Sequence, residues 1–485
     1  MLKFPDSPSF TGFNQPARFE ADIADVETEG DIPEDLDGAF YRVQPDPQYP
    51  PLLGEDIAFN GDGAVSMFRF KGGRVHFKHR WVQTDKFKLE RAAGKALFGA
   101  YRNPLTDDPA VKGKIRGTAN TNAFPFAGKL FALKEDSPPV VMDLNTLESK
   151  GYTDFGGKMK SQTFTAHPKI DPETGEMVAF GYAAKGLLTK DMAYYTLNAK
   201  GEVTRETWFE LPYYCMMHDF GVTRDYAVFH VVPSIGSWER LEAGLPHFGF
   251  DTTKEVYLGI LPRDGEGRDV RWFKTGNCFA SHVMNAHNVG TKIHFDTPQA
   301  KNNMFPFFPD VHGAPFNMQE AHSRLTRWTV DMNSNSDSFE SQTTLCDLFG
   351  EFPRIDDRYA TQSYRHGYML VMDMSKPFEA PGGRSGAGLI MNTLAHYDHA
   401  TGRTQSWWCG PTSTLQEPCF VPKRANAAEG EGYIVQVCNR LDERVSDLLV
   451  FDAERIAEGP IGAAKLGVRL RFGLHGNWAP GAMLN

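Results

Sequence analysis

Apolar and polar residues alternate over short stretches along most of the chain, and these stretches come in pairs. Residues 192–211, MAYYTLNAKGEVTRETWFEL, form a β-rich run, a polar turn with glycine, and a second β-rich run. The same pattern recurs in VYLGILPRDGEGRDVRWF, LTRWTVDMNSNSDSFES and LAHYDHATGRTQSWW. Two alternating runs joined by such a turn predict a β-hairpin.

The turns of these hairpins are regularly spaced. They fall near Gly201, Gly265, Asn335 and Gly402, with separations of 64, 70 and 67 residues. Weaker members of the series lie at Gly72–Gly73 and near Asn145. A period in the high sixties divides the 485 residues into about seven units. Repeated small sheets predict an all-β, seven-bladed β-propeller, with long loops and helices forming a cap over one face.

The domain organisation is predicted to be simple. No Ser/Gly-rich or Pro-rich stretch divides the chain, so we expect one domain over residues 1–485. A pair of β-sandwich domains is the alternative architecture. The segment DKFKLERAAGKALFGAYRNP predicts a helix from about Lys86 to Tyr101, ended by Pro104, as part of the cap.

Composition narrows the class of protein. The 36 phenylalanines favour strands around an aromatic interior. The net charge of -10 and the lack of a basic stripe make nucleic acid an unexpected partner. We find no apolar run of 18 residues and no signal-like start, so we expect a cytoplasmic protein without stable membrane insertion. The six cysteines include no CxxC pair and are predicted to be free thiols.

Four of the 15 histidines follow β-type apolar or aromatic runs: His167, His218, His282 and His475. A propeller gathers such inner-strand residues around its axis, so the four are candidate metal ligands. Spacing alone does not single them out. The local alternative is His396-Tyr-Asp398, which matches part of a two-histidine-one-carboxylate iron site. That motif directly precedes a hairpin turn, where solvated polar residues are expected.

Several segments resemble signatures of the carotenoid cleavage oxygenase family, in family order and over nearly the whole chain. They include FNGDGAVSMFRF, ANTNAF, FALKED, AHPKIDPETGEM, MHDFGVT, FPRIDDRY, EPCFVPK and GLHGNW. The resemblance implies a seven-bladed propeller and Fe(II) bound by His167, His218, His282 and His475. It also implies three glutamates that orient ligand imidazoles: Glu135 for His218, Glu351 for His282 and Glu417 for His475. Thr121 matches a residue near the remaining iron position beside His167.

Within the family the chain most resembles the bacterial lignostilbene dioxygenases. The resemblance implies cleavage of the central double bond of 4-hydroxystilbenes with O2, giving two aromatic aldehydes such as vanillin, as in lignin degradation. It assigns substrate contacts to Phe59, Tyr101 and Lys134. A Lys ammonium and a Tyr hydroxyl can bind a phenol and stabilise charge on it, and Phe59 can pack against a ring.

Two other functions stay open on the sequence. A carotenoid-cleaving or apocarotenoid-cleaving enzyme of the same family is the first, and a non-enzymatic propeller that binds partners is the second. The segment NMFPFFPDVHGAPF, residues 303–316, is predicted to form the rim of a substrate tunnel, with a membrane-docking patch as its alternative. The resemblance also leads us to expect a homodimer.

Overall fold

Seven sheets of four to six strands make up most of the fold. The computed structural model describes residues 3–379 and 390–484. Within them lie these seven sheets and one further two-stranded pair. The fold is a seven-bladed β-propeller, which confirms the class predicted from the repeat. The chain comprises two compact units, and the single domain over residues 1–485 stays a prediction.

Unit 1 comprises Met1–Thr153, Leu370–His396 and Gln405–Asn485. It holds three complete sheets. Sheet 1 consists of Ala21–Ile23, Gly38–Asp46, Asp62–Lys71, Arg74–Trp81 and Gly476–Pro480. Sheet 2 consists of Asn122–Phe126, Lys129–Leu133, Val140–Met142 and Ser149–Tyr152. Sheet 7 consists of Thr28–Gly30, Ser413–Leu415, Cys419–Pro422, Gly432–Arg440, Val445–Asp452 and Gly462–Lys465.

Unit 2 comprises Asp154–Met369 and Tyr397–Thr404. Sheet 3 consists of Lys169–Ile170, Met177–Tyr182, Asp191–Leu197 and Val203–Glu210. Sheet 4 consists of Gly221–Val222, Tyr226–Val231, Val256–Pro262 and Arg271–Thr275. Sheet 5 consists of Phe279–Ala280, Asn285–Val289, Lys292–Ala300, Arg324–Asp331 and Ser341–Cys346. The two-stranded pair is Ser234–Ile235 with Gly249–Phe250.

Sheet 6 draws residues from the sequence ranges of both units. Its strands are Gly350–Ile355, His366–Val371, Thr393–Asp398 and Arg403–Trp408. Each of the six predicted turns joins neighbouring strands of a different sheet, from Gly72–Gly73 in sheet 1 to Gly402 in sheet 6. The corresponding connection of sheet 7 is residues 453–461, a longer loop with a 3-10 turn at Ile456–Glu458 in place of a tight turn, and it gave no hairpin signal.

The strands form because their side chains alternate between apolar and polar environments. In Arg74–Trp81, the residues Val75, Phe77, His79 and Trp81 are buried, and the residues between them are more exposed. Apolar clusters fill the space between adjacent sheets of each unit. Phe68 and Val450 belong to the cluster shared by sheets 1 and 7, and Phe295 belongs to the one shared by sheets 4 and 5. This burial supplies the main free energy of folding.

Two α-helices occur in the described residues, Asp85–Ala93 and Trp238–Glu242. Short 3-10 turns lie at Gly12–Asn14, Ala58–Asn60, Pro104–Thr106, Pro109–Val111, Gly267–Asp269, Asp357–Tyr359, Ile456–Glu458 and Gly481–Met483. The predicted helix to Tyr101 is wrong in its second half. Thr84 caps the start by accepting a hydrogen bond from the N–H of Phe87, and Gly94 ends the helix at φ 69°.

The six cysteines are free, as predicted, and the structure buries all of them. Across residues 3–379 and 390–484, no helix combines the length and apolarity needed to cross a membrane.

Candidate active site

Three of the four predicted ligand histidines lie together in unit 2. His167 precedes the first strand of sheet 3, His218 precedes the first strand of sheet 4, and His282 lies between the first two strands of sheet 5. The Nε2 atoms of His167 and His218 are 3.1 Å apart, and those of His218 and His282 are 3.0 Å apart. Three consecutive sheets therefore direct one ring nitrogen each to a common point.

His475, in unit 1, directly precedes the last strand of sheet 1. Its backbone N–H donates to the carbonyl of Thr121 at 3.1 Å, which holds it against the start of sheet 2. One ligand atom from each of the four histidines lies within 4.8 Å of the others, and this is the metal-binding group found in the described part of the chain. The structure thus brings together all four histidines that the family resemblance assigned as ligands.

Buried carboxylates fix two of these imidazoles from behind. His282 Nδ1 lies 2.5 Å from Glu351 Oε2, and Ser281 Oγ donates to Glu351 Oε1 at 2.7 Å. His475 Nδ1 lies 2.9 Å from Glu417 Oε1, whose partner oxygen accepts the N–H of Gly476 at 2.9 Å. A carboxylate at Nδ1 keeps the proton there, so Nε2 presents its lone pair to the cluster.

Burial raises the pKa of Glu351, but the adjacent His282, the Phe352 N–H and Ser281 outweigh this effect and hold that pKa below its ordinary value. The glutamate is thus a carboxylate, available to offset the charge of a cation.

Glu135 and Thr121 are also buried. Glu135 follows the second strand of sheet 2, and its predicted contact with His218 stays a prediction. Thr121 Oγ1 donates to Asn120 Oδ1 at 3.1 Å. Its predicted position beside His167 likewise stays a prediction.

The alternative iron motif is occupied by other interactions. Arg365 binds Asp398 through two nitrogens, at 3.0 and 2.8 Å, and the N–H of Ala400 donates to the same carboxylate at 2.9 Å. Asp398 therefore anchors the hairpin turn, and His396 is not part of the four-histidine group.

The donor set of the cluster fits a bound metal. Two imidazole nitrogens bonded to one ion at about 2.1 Å and about 90° apart would lie about 3.0 Å from each other. The Nε2 separations of 3.0 and 3.1 Å match this distance. Lone pairs facing each other at this range repel unless a cation lies between them. All-imidazole coordination suits iron, copper or zinc better than magnesium or calcium.

The predicted substrate residues form a second group, within unit 1. Lys134 Nζ donates to the carbonyl of Phe59 at 3.3 Å and to Asn120 Oδ1 at 3.2 Å. It also lies 5.2 Å from the centre of the Tyr101 ring, within cation–π range. Phe59, Tyr101 and Lys134 are thus neighbours, although 75 residues separate the first from the last.

Sequence reasoning missed Asn120, which joins these residues. Its Nδ2 donates to the carbonyls of Phe59 and Gly61, at 2.9 and 2.6 Å. The backbone before Asn120 can lie this close to residue 63 only because residue 63 is glycine. A Cβ on that residue would lie 2.3 Å from the carbonyl oxygen of Ala119. The ANTN motif drew attention to Thr121 but gave no signal for its neighbour.

The pKa values of this group reflect its burial. Removal from water lowers the pKa of Lys134, and the carboxylates of Asp136 and Glu135 only partly oppose this. Burial raises the pKa of Tyr101, which keeps its hydroxyl protonated as a donor. The Lys134 ammonium therefore loses its proton more readily than an exposed lysine does, whereas the Tyr101 hydroxyl keeps its proton.

The Phe-rich segment of residues 303–316 packs inward at one end. Met304 and Phe308 are buried, Phe305 and Phe307 are partly buried and in ring contact, and Phe316 is 39% exposed. Its role as a tunnel rim stays a prediction.

Comparisons with known proteins agree with this geometry. The chain is 58% identical to lignostilbene-alpha,beta-dioxygenase isozyme III of Sphingomonas paucimobilis, over 100% of this chain and 99% of that protein. It is 44% identical to an isoeugenol monooxygenase of Pseudomonas nitroreducens, over 98% of both. The crystal structure of a Pseudomonas brassicacearum lignostilbene dioxygenase superposes with a TM-score of 0.96 at 42% identity, over 99% of this chain and 100% of that one.

The family described as retinal pigment epithelial membrane protein (RPE65) matches residues 14–480. This family is iron-dependent, in agreement with the four-histidine cluster. The chain therefore belongs to the RPE65/carotenoid cleavage oxygenase family.

Proposed function

We propose that this protein is a non-haem Fe(II) oxygenase that cleaves the central double bond of 4-hydroxystilbenes with O2. The products are two aromatic aldehydes. Vanillin is one of them when the ring carries a methoxy group beside its 4-hydroxyl. The observation that carries the proposal is the group formed by half-buried Phe59 and buried Tyr101 and Lys134, in a chain with a full-length relative named for lignostilbene.

Lys134 has a donor left for the substrate. An ammonium group has three N–H donors, and two of those on Lys134 are used by Phe59 and Asn120. The third binds the phenol oxygen of the substrate, and Tyr101 supplies a second, neutral donor. A phenol conjugated to the alkene pushes electron density onto the scissile bond, more strongly as negative charge develops on its oxygen. Donors at that oxygen stabilise this charge.

His167, His218, His282 and His475 hold the iron in this proposal. Glu351 and Glu417 orient two of the imidazoles and offset the positive charge with their carboxylates. Iron, when bound, supplies the activation of dioxygen. The protein supplies fixed ligand nitrogens and, through buried Tyr101 and Lys134, preorganised donors for the phenol end of the substrate.

The names of the relatives favour a phenolic substrate. One is named for a lignostilbene and the other for isoeugenol, and both molecules carry a phenol conjugated to a double bond. A carotenoid has no phenol, so a buried Lys and Tyr would gain nothing from binding it.

The test is aerobic incubation of iron-loaded protein with a 4-hydroxystilbene, its 4-methoxy analogue and an apocarotenoid, followed by product mass analysis. We expect two aldehydes from the phenol and little reaction of the other two. Equal rates for the phenol and methoxy compounds would contradict phenol activation. Cleavage of the apocarotenoid alone would reassign the substrate class. If the purified protein contains no stoichiometric metal and takes up none when iron is supplied, the result would favour a non-enzymatic binding module.

A further inference from the structure

A buried aspartate connects the three ligand segments of unit 2. Asp219 follows His218 directly and is 2% exposed. Its Oδ1 accepts hydrogen bonds from Lys169 Nζ and from the N–H of Phe220, both at 2.7 Å. Its Oδ2 accepts the N–H of Val283 at 2.8 Å.

These contacts reach one segment from each of sheets 3, 4 and 5. Lys169 lies two residues after His167, and Val283 lies one residue after His282. Each of the three ligands is therefore within two residues of a group bonded to Asp219. A carboxylate with charged and backbone donors is held more firmly than a neutral acceptor would be.

We propose that Asp219 is a positioning residue of the metal centre, which holds the segments of His167, His218 and His282 at the spacing that the ion requires. The inference rests on the proposed four-histidine iron site. Lys169 is its partner and carries the link to the segment of His167. Neither side chain is assigned as a ligand.

The Asp219 carboxylate offers two acceptor oxygens, whereas the amide of asparagine offers only one. Asparagine has one acceptor oxygen and one NH2 donor. If the oxygen faces Lys169, the NH2 group faces the Val283 N–H, and two donors oppose each other. If the amide is flipped, its NH2 group faces the Lys169 ammonium. Asp219→Asn must therefore release one of the three segments, although its size is unchanged.

The experiment compares Co²⁺ binding to metal-free protein, followed by the visible absorption of the ion. We expect Asp219→Asn to weaken Co²⁺ affinity by roughly 10–100-fold, the usual effect of a change around the ligands, and to alter the spectrum. Lys169→Met removes the link to the segment of His167 and should also weaken the affinity. The matched control is Asp447→Asn, because Asp447 is a buried aspartate with an Arg and a Lys partner.

Both aspartate variants should lower the free energy of unfolding, but only Asp219→Asn should change the metal spectrum. Wild-type affinity and spectrum in Asp219→Asn would overturn the proposal. So would equal losses of affinity in the two variants. If Asp219→Asn does not fold, Lys169→Met alone decides, and unchanged affinity in it would also overturn the proposal. Stilbene cleavage by the wild type is measured separately, because its absence contradicts the proposed function and not the role of Asp219.

Discussion

Replacement of Glu351 by glutamine tests how much a carboxylate behind an imidazole contributes to metal binding. In the wild type, Oε2 of Glu351 accepts from His282 Nδ1 at 2.5 Å and from the N–H of Phe352 at 2.6 Å. Its Oε1 accepts from Ser281 Oγ at 2.7 Å. A glutamine can keep its oxygen toward His282 and turn its NH2 group toward Ser281. The substitution therefore removes the negative charge but hardly changes the size of the side chain.

The expected magnitude follows from that difference. A hydrogen bond to a charged group contributes about 1.5–3 kcal/mol and a neutral one about 0.5–1.5 kcal/mol. Losing the charge at His282 therefore costs about 1–1.5 kcal/mol, or roughly tenfold in metal affinity, at the low end of the usual range. Glu351→Ala leaves the imidazole N–H unpaired in a buried site, and we expect a loss nearer to roughly 100-fold.

The assay is anaerobic titration of metal-free protein with Fe(II) in competition with a chelator. Glu417→Gln should behave like Glu351→Gln, because its contact with His475 has the same form. The control is Glu340→Gln, which alters an exposed ion pair with Lys292 and should leave the affinity unchanged. Unchanged affinity in both glutamine variants at the cluster, or an equal loss in the Glu340 control, would refute the reasoning.

Three further predictions address the metal, the substrate and stability. His282→Ala should abolish stoichiometric iron and activity, whereas His396→Ala should keep both; iron analysis of the purified proteins showing the reverse would disprove the ligand assignment. Lys134→Met should lose most of the rate on a 4-hydroxystilbene and Tyr101→Phe a smaller part, about 0.5–1.5 kcal/mol, with normal iron content in both; rates equal to wild type would remove their role. Burial lowers the pKa of His287 to about 4 from its ordinary 6.5, so the unfolded chain binds the proton more tightly. Stability should therefore fall as the pH drops from about 6.5 to about 4; urea midpoints of wild type and His287→Phe should diverge over that range, and parallel curves would contradict the assignment.

The sequence predicted the hairpins well because their turns carry local signals. Six turns with Gly or Asn lie where they were expected, and the corresponding connection of sheet 7 was missed because residues 453–461 form a longer loop in place of a tight turn. The helix was predicted too long, although Gly94 could have marked its end. In the structure, Glu90 accepts the N–H groups of Leu97 and Phe98 at 2.9 and 3.0 Å and turns the chain away.

The site depended on information that is not local. The residues alone did not select four histidines from fifteen, and the family resemblance supplied the set. Asn120 and Asp219 carried no recognisable signal, because their partners are distant in sequence: Phe59 lies 61 residues from Asn120, and Val283 lies 64 residues from Asp219. Such contacts become visible only when the sheets are assembled.

The closure of sheet 1 bears on how the protein is made. Gly38–Asp46 pairs with Gly476–Pro480, so one of its strands is translated more than 400 residues before the other. His475 immediately precedes the late strand and is translated about 190 residues after His282. A nascent chain can therefore hold three histidines in folded sheets while the fourth does not yet exist. Iron insertion must follow this long-range pairing, which is of the kind that folds slowly. The complete four-histidine site should thus form only after the strand that follows His475 has been translated and has paired.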